Sequence, residues 1–357
     1  MNDLYFIDGH KLLWHLDRVV MWQNDPVMCP IYMEISPISS CNHRCIFCGV
    51  DFARKNKILN VSNYLKFINF LSKEGLKSVM IAGEGEPLLH KEIEKITWGT
   101  KKSCVDVALV TNGSLAYKEI MKSILPSLTW IRFSLDAGSP NIYSLVHGVK
   151  KDIFEKVINN IHNCCEIKRR NNLGVTIGVQ YLIIDENFDD IENAIKILSD
   201  ISIDYLVLKP FSFHPQMKNK LYVHYTFDKL QQIEELIKRY ENKVTFPIIF
   251  RKESFKKYIL MEKKYTHCYA LSFWEYLAAD GDVYTCSVFL GDERFIAGNI
   301  NKHDPYEIIY GDRRKKSIYF GATALDVVKE CRVNCRMARI NEFLSLLKNP
   351  PKHVNFI

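Results

Sequence analysis

Cys41, Cys45 and Cys48 stand in the loop Ser40-Cys41-Asn42-His43-Arg44-Cys45-Ile46-Phe47-Cys48, directly after the apolar run of residues 31–35. Three thiolates at this spacing can wrap one corner of a cubic iron-sulfur cluster and leave its fourth iron open to a small-molecule ligand. An open iron is a site for chemistry. A zinc site would want a fourth ligand, and the nearby candidate, His43, lies between the thiols where its ring strains to reach the same metal. Chance is the bland alternative: with 11 cysteines in 357 residues, the expectation for such a triplet is roughly one in a hundred.

The loop resembles the Cys-x3-Cys-x2-Cys signature of the radical S-adenosylmethionine (SAM) superfamily, and Phe47 fills the aromatic position before the third cysteine. The resemblance implies a 4Fe-4S cluster whose open iron chelates the amino and carboxylate groups of SAM. It also implies one-electron cleavage of SAM to a 5'-deoxyadenosyl radical that abstracts a hydrogen atom from substrate. The radical chemistry belongs to the cofactor, while the protein orients the reactants and excludes water. A flavodoxin- or ferredoxin-type reductant is the implied electron source.

Such a loop needs a rigid base. Past the cysteines, apolar runs alternate with helical periodicity and read as repeated strand-helix units. The expected helices are 61–75, 88–102, 117–124, 153–170 and 188–199, between expected strands at 31–35, 78–82, 105–111, 130–135, 174–183 and 205–208. Tyr64, Phe67, Ile68 and Leu71 share one face of the first helix, and Gly75 ends it. Short connections and right-handed crossovers give an α/β fold, a partial (β/α)6 TIM-like barrel with chemistry at the C-terminal ends of its strands. The family resemblance implies the same barrel.

The second strand runs into Ile81-Ala82-Gly83-Glu84-Gly85-Glu86-Pro87-Leu88. Glycines there let backbone approach a ligand closely, and a carboxylate can bind an ammonium group. The segment resembles the family's Gly-Gly-Glu-Pro, which implies cofactor contacts for Gly83, Gly85 and Glu86, with Glu86 on the methionine amino group. Glu84 departs from that pattern, standing where the first glycine usually does. Placement at strand ends nominates Asn112 (in Thr111-Asn112-Gly113), Ser134, Asp136 and Gln180 for ribose and carboxylate contacts. Lys209, just past the sixth strand, and His214, on the loop that follows, are expected to meet substrate.

Beyond the barrel, a helix at 226–240 and a strand-like run at 244–250 lead to a second group of cysteines. Cys268 and Cys286 flank an expected hairpin turning at Asp280-Gly281, and Cys331 and Cys335 would share a face if helical. By spacing, these four thiols suit zinc or an iron-sulfur cluster equally. The segment resembles the twitch form of the SPASM extension, which implies an auxiliary 4Fe-4S cluster on Cys268, Cys286, Cys331 and Cys335. The resulting organisation is an N-terminal extension (1–30), the radical SAM barrel (31–215), a connecting region (216–265) and a twitch-like auxiliary domain with a C-terminal helix (266–357).

Composition permits this reading. At 47% hydrophobic content the chain can bury one large core or a core plus a small module. No apolar run of about 18 residues appears, and residues 1–10 lack the order of a secretory signal, so a cytoplasmic protein is expected. The net charge of +7 is spread through mixed-sign stretches without a basic block interleaved with aromatics. That argues against nucleic acid and membranes, and leaves a phosphorylated or nucleotide-linked substrate as the sharper alternative to solvated surface. The remaining cysteines, Cys29, Cys104, Cys164 and Cys165, fall away from the expected catalytic face, where an epimerase commonly needs a hydrogen-donating thiol. Dehydrogenation of an alcohol carbon of a sugar, cyclitol or nucleotide sugar is therefore the favoured reaction, as resemblance to twitch-bearing cyclitol dehydrogenases also suggests. Epimerisation is second, followed by ribosomal-peptide maturation, a non-catalytic electron carrier and a zinc-stabilised binding protein.

Overall fold

The computed structural model describes residues 4–7 and 9–356. Helix α1 (Leu16–Asn24) precedes β1 (Tyr32–Ile35), and the strand-helix units follow: α2 (Val61–Glu74), β2 (Ser78–Ile81), α3 (Ile93–Lys102), β3 (Asp106–Thr111), α4 (Lys118–Ile124) and β4 (Trp130–Ser134). Two helices, α5 (Pro140–His147) and α6 (Asp152–Arg170), lead to β5 (Thr176–Ile183), α7 (Ile191–Ser199) and β6 (Tyr205–Pro210). Then come α8 (Phe227–Tyr240), β7 (Ile248–Phe250), α9 (Lys252–Leu260), β8 (Trp274–Leu277), β9 (Asp282–Tyr284) and β10 (Ile296–Asn299). Helices α10 (Pro305–Tyr310), α11 (Asp312–Thr323) and α12 (Ala338–Lys348) complete the chain.

The ten strands among the described residues form one sheet, ordered β10-β9-β8-β1-β2-β3-β4-β5-β6-β7. The six expected barrel strands are present and parallel. Two more join them: β7 runs parallel to β6, and β8 runs parallel to β1. The run at 244–250 thus shortens to a barrel strand, and the hairpin is hydrogen-bonded into the barrel sheet. Residues 331–335 are not helical, so Cys331 and Cys335 are brought together by a loop.

Strand alternation explains how the sheet serves two environments. Met33, Ile35, Val79, Ile81, Val107, Leu109, Ile131 and Phe133 face the helical layer and are essentially fully buried. Each such side chain stabilises by roughly 1.5–3 kcal/mol on burial. The alternate positions Glu34, Ala82, Val110, Arg132 and Ser134 face the barrel interior and line a cavity. At the floor, Tyr205, Val207 and Ile249 cluster with Tyr5 and Ile7, so the N-terminal segment packs on the barrel strands. Helix α2 shows the local logic: Asn60 accepts a hydrogen bond from the Asn63 amide, and Gly75 ends the helix at φ 109° while Leu76 N–H donates to Leu71 O.

Candidate active site and cluster ligands

The loop after β1 is held in shape from three sides. At its base, Ser39 Oγ accepts from the amides of Lys55 (3.3 Å) and Lys57 (2.8 Å). The turn after β3 holds its middle: Asn112 Nδ2 donates to Asn42 Oδ1 at 2.9 Å, and Asn42 Nδ2 donates to Ser114 Oγ at 2.8 Å. On the far side lies α5, absent from the sequence expectations. Arg44 N–H donates to His147 O, and Ile46 N–H donates to Val146 O. Ser139-Pro140 before α5 and Gly148 after it are start and stop signals that could have found it.

The glycines at 83 and 85 are required by the same packing. A Cβ on Gly85 would stand 2.1 Å from Ser40 O, and Gly83 has φ +103° with Ser36 Cβ 2.4 Å from its would-be Cβ. The end of β2 therefore lies flush under the loop that carries Cys41, and Glu86 N–H donates to Ser40 O at 2.9 Å.

Cys41, Cys45 and Cys48 line one cavity of about 320 Å³ at the C-terminal ends of the strands, a volume usual for small-molecule sites. Phe47, Gly83, Gly85, Glu86, Asn112, Ser134, Gln180 and Lys209 line it as well. Lys209 belongs to β6 itself and does not follow it. The Glu86 carboxylate accepts from Thr111 Oγ1 (2.6 Å), Asn112 N–H (2.9 Å) and Leu88 N–H (3.1 Å). Burial pushes Glu86 above the ordinary carboxylate range, and these three bonds oppose the shift.

Two expected contacts are placed elsewhere. Asp136 is fully buried behind the cavity at φ +53°, with Oδ1 accepting from Leu182 N–H at 2.6 Å and Oδ2 4.0 Å from His147 Nε2. It does not line the cavity itself, but it lies within electrostatic reach of the lining Lys209 and Arg132. His214 is also buried outside it. Its ring packs on Phe52 with centroids 4.8 Å apart, its Nδ1 accepts from Gln216 N–H, and its Nε2 faces Ser287 O at 3.4 Å. Burial lowers His214 to about 4, and both ring nitrogens are engaged in holding loop against hairpin.

Four residues that sequence reasoning passed over belong to the site. His147 Nε2–H donates to Leu135 O at 2.9 Å, which leaves Nδ1 facing Cys45 Sγ at 3.1 Å. Arg54 Nη2 donates to Cys48 Sγ at 3.3 Å. Arg132, on β4, and Arg336, next to Cys335, both reach the cavity wall. Arg336 binds Glu34 of β1, so the auxiliary loop is tied directly into the barrel interior.

The second set of thiols also converges. Cys268, Cys286, Cys331 and Cys335 line one cavity whose remaining wall is largely apolar, including Leu271, Trp274, Phe289 and Val327. Burial pushes Cys268 up to about 12. The Cys331 thiol donates toward Cys335, which draws Cys335 down and pushes Cys331 up. Asn341 Nδ2 reaches Cys268 Sγ at 3.5 Å while its Oδ1 accepts from the amides of Tyr269 and Ala270. Gly281, at φ +93° in the hairpin turn, has no room for a Cβ beside Asn301.

Among the described residues no three His, Cys, Asp or Glu side chains converge on a single-ion position. Thiols serving a multi-iron cluster bind different irons and stand apart. The first set also carries N–H···S contacts from Arg54 and from the His43 amide (3.4 Å), the kind of bond that tunes cluster potential. Both thiol sets thus fit iron-sulfur clusters: Cys41, Cys45 and Cys48 would hold the SAM-binding one, and Cys268, Cys286, Cys331 and Cys335 the auxiliary one.

Comparison with known proteins agrees. The chain is 27% identical over 187 residues to the GTPase Obg of Brachyspira hyodysenteriae, covering 49% of this chain and 27% of that protein. It is 27% identical over 231 residues to a probable GTP 3',8-cyclase of Saccharolobus solfataricus, covering 64% of this chain and 70% of the relative. The chain therefore spans about a quarter of the first relative's length. In fold it is similar to Streptococcus suis SuiB bound to the precursor peptide SuiA, with TM-score 0.69 at 18% identity, covering 94% of this chain and 77% of that one. Residues 35–198 match the Radical SAM superfamily model, which identifies that segment as a radical SAM domain.

Proposed function

We propose that this enzyme dehydrogenates an alcohol carbon of a sugar, cyclitol or nucleotide sugar, with the auxiliary cluster as electron acceptor. Bound together, the first cluster and SAM supply a 5'-deoxyadenosyl radical able to take a hydrogen atom from carbon. Glu86 receives the methionine ammonium: its carboxylate keeps acceptor capacity beyond its three present bonds. Ser134, Gln180 and Asn112 face the same cavity and orient ribose and carboxylate. Phe47 and His147 pack edge-to-face, with centroids 5.4 Å apart, and close that wall to water.

One observation carries the choice of reaction. Cys335, an auxiliary ligand, is followed at once by Arg336, which reaches the SAM cavity and binds Glu34. The auxiliary site is thus coupled mechanically and electrostatically to the place where a substrate radical would form, as removal of a second electron requires. The other thiols lie elsewhere: Cys29, Cys164 and Cys165 are buried in the helical layer and Cys104 is exposed at the turn before β3. None of the four lines the cavity to return a hydrogen atom, which weighs against epimerisation. A flavodoxin- or ferredoxin-type protein is the proposed reductant.

The test is anaerobic turnover in deuterated water with reductant, SAM and a panel of candidate sugars and cyclitols. A carbonyl product without solvent deuterium supports dehydrogenation. Recovery of inverted, deuterated substrate assigns epimerisation and overturns the proposal.

A further inference from the structure

Three basic side chains gather at the barrel interior, and one of them, Arg132, keeps a buried donor without an acceptor among the described residues. Arg132, Lys209 and Arg336 line the SAM cavity with two carboxylates, Glu34 and Glu86, and a third, Asp136, lies buried behind it within electrostatic reach of Lys209 and Arg132. Both lining carboxylates are committed: Glu34 to Arg336, and Glu86 to Thr111, Asn112 and Leu88. Arg132 stacks over Trp130 at 5.2 Å, and its Nε is buried without a hydrogen-bond partner among the described residues. Lys209 lies within electrostatic reach of the buried Asp136 carboxylate, which Arg132 shares. Burial, with Arg132, Arg251 and Arg336 close by and Asp136 opposing them, holds its amine well below the ordinary lysine value. Uncompensated cations in a desolvated site are unfavourable unless an anion arrives, and a guanidinium with free donors suits an oxyanion.

We infer that Arg132 and Lys209 form an oxyanion subsite beside the SAM position, and that the substrate carries a phosphate or carboxylate which they bind. This rests on the dehydrogenase reading for the location of substrate and adds its charge class. The arrangement selects against neutral sugars, because an occupant without an oxyanion would leave the buried Arg132 Nε donor without a charged acceptor.

Inorganic phosphate and, separately, acetate are titrated calorimetrically into the reconstituted, oxidised holoenzyme saturated with SAM. One of them is expected to bind the wild type and to bind at least about tenfold more weakly in both Arg132→Gln and Lys209→Met, while SAM affinity changes less than about threefold. The tighter of the two probes identifies the substrate's oxyanion. Arg132→Lys, which keeps charge but not the planar fork, is expected to retain part of the binding even if Arg132→Gln folds poorly. Absence of binding by either probe overturns the inference, and so does a parallel loss of SAM affinity in both variants, which would assign these cations to the SAM carboxylate. 5'-Deoxyadenosine formation by the reduced wild type, measured alongside, shows whether the radical SAM reading survives such a failure.

Discussion

Glu84 and Gly85, neighbours after β2, show how single residues divide the work of the site. Gly85 is a contact surface for the cysteine loop, and a Cβ there meets Ser40 O at 2.1 Å. Gly85→Ala is therefore expected to displace Cys41 and reduce iron at the first site by about four atoms per chain, leaving the auxiliary site loaded. An iron count with electron paramagnetic resonance of both clusters checks this; unchanged loading of both sites would contradict it. Glu84 points instead to the seam between barrel and hairpin, beside Asp280, Lys55 and Tyr284. Burial first, then the nearby Asp280, raises its carboxyl to about 7, against weaker lowering by Tyr276, the Ala279 amide and Lys55. The folded chain thus holds a proton that the unfolded chain releases above roughly pH 4.5. The stabilisation is complete at low pH and is lost as pH rises toward 7. Glu84→Gln is expected to flatten the anaerobic melting temperature between pH 5 and 7.5, removing up to about 3 kcal/mol of pH dependence. Parallel curves for the two proteins would refute that assignment.

Elements explain why some of these residues were readable and others were not. Helix α2, the strands of the barrel and the hairpin turn at Asp280-Gly281 announce themselves through local periodicity and turn chemistry. Helix α5 is short, and its contribution through His147 is a contact with Cys45, a residue 102 positions away. No local pattern encodes a partner at that separation. Strand β7 is three residues long, too short for alternation to declare it part of the barrel. Helix α11 docks on β8 through the fully buried Arg314–Glu275 pair, invisible in sequence because the partners lie on different elements. Burial raises Glu275 to about 7 despite its partner, so desolvation outweighs the attraction to Arg314 in this pair. Glu275→Gln leaves the Arg314 charge buried and is expected to cost about 3–5 kcal/mol. Chemical denaturation of the holo-protein measures it, and a loss under about 1 kcal/mol would mean that the Arg314 carbonyl contacts with Ile309 and Ser272 suffice.

At the scale of the whole molecule, one continuous sheet carries two thiol-lined cavities. The loop after β1 presents the first at the barrel mouth, and β8, parallel to β1, begins the hairpin that frames the second. The cysteine spacings pointed to both sets of thiols that line common cavities, because such spacings are local along the chain. Most of the charge inside the barrel was hidden: Lys209 was expected at the mouth, but Arg132, Glu34 and Arg336 come from two strands and a loop, and only strand register shows that they share its space. Among the described residues no helix is long and apolar enough to cross a membrane. The central claim is that Cys41, Cys45 and Cys48 hold a cluster competent to reduce SAM. Its most direct test is 5'-deoxyadenosine formation by anaerobically reconstituted, dithionite-reduced protein, beside a variant with those three cysteines changed to alanine. About eight irons and 5'-deoxyadenosine production are expected of the wild type, with about four irons and no 5'-deoxyadenosine in the variant. Fully loaded wild type that leaves SAM intact, or a triple variant that still cleaves it, would contradict the claim.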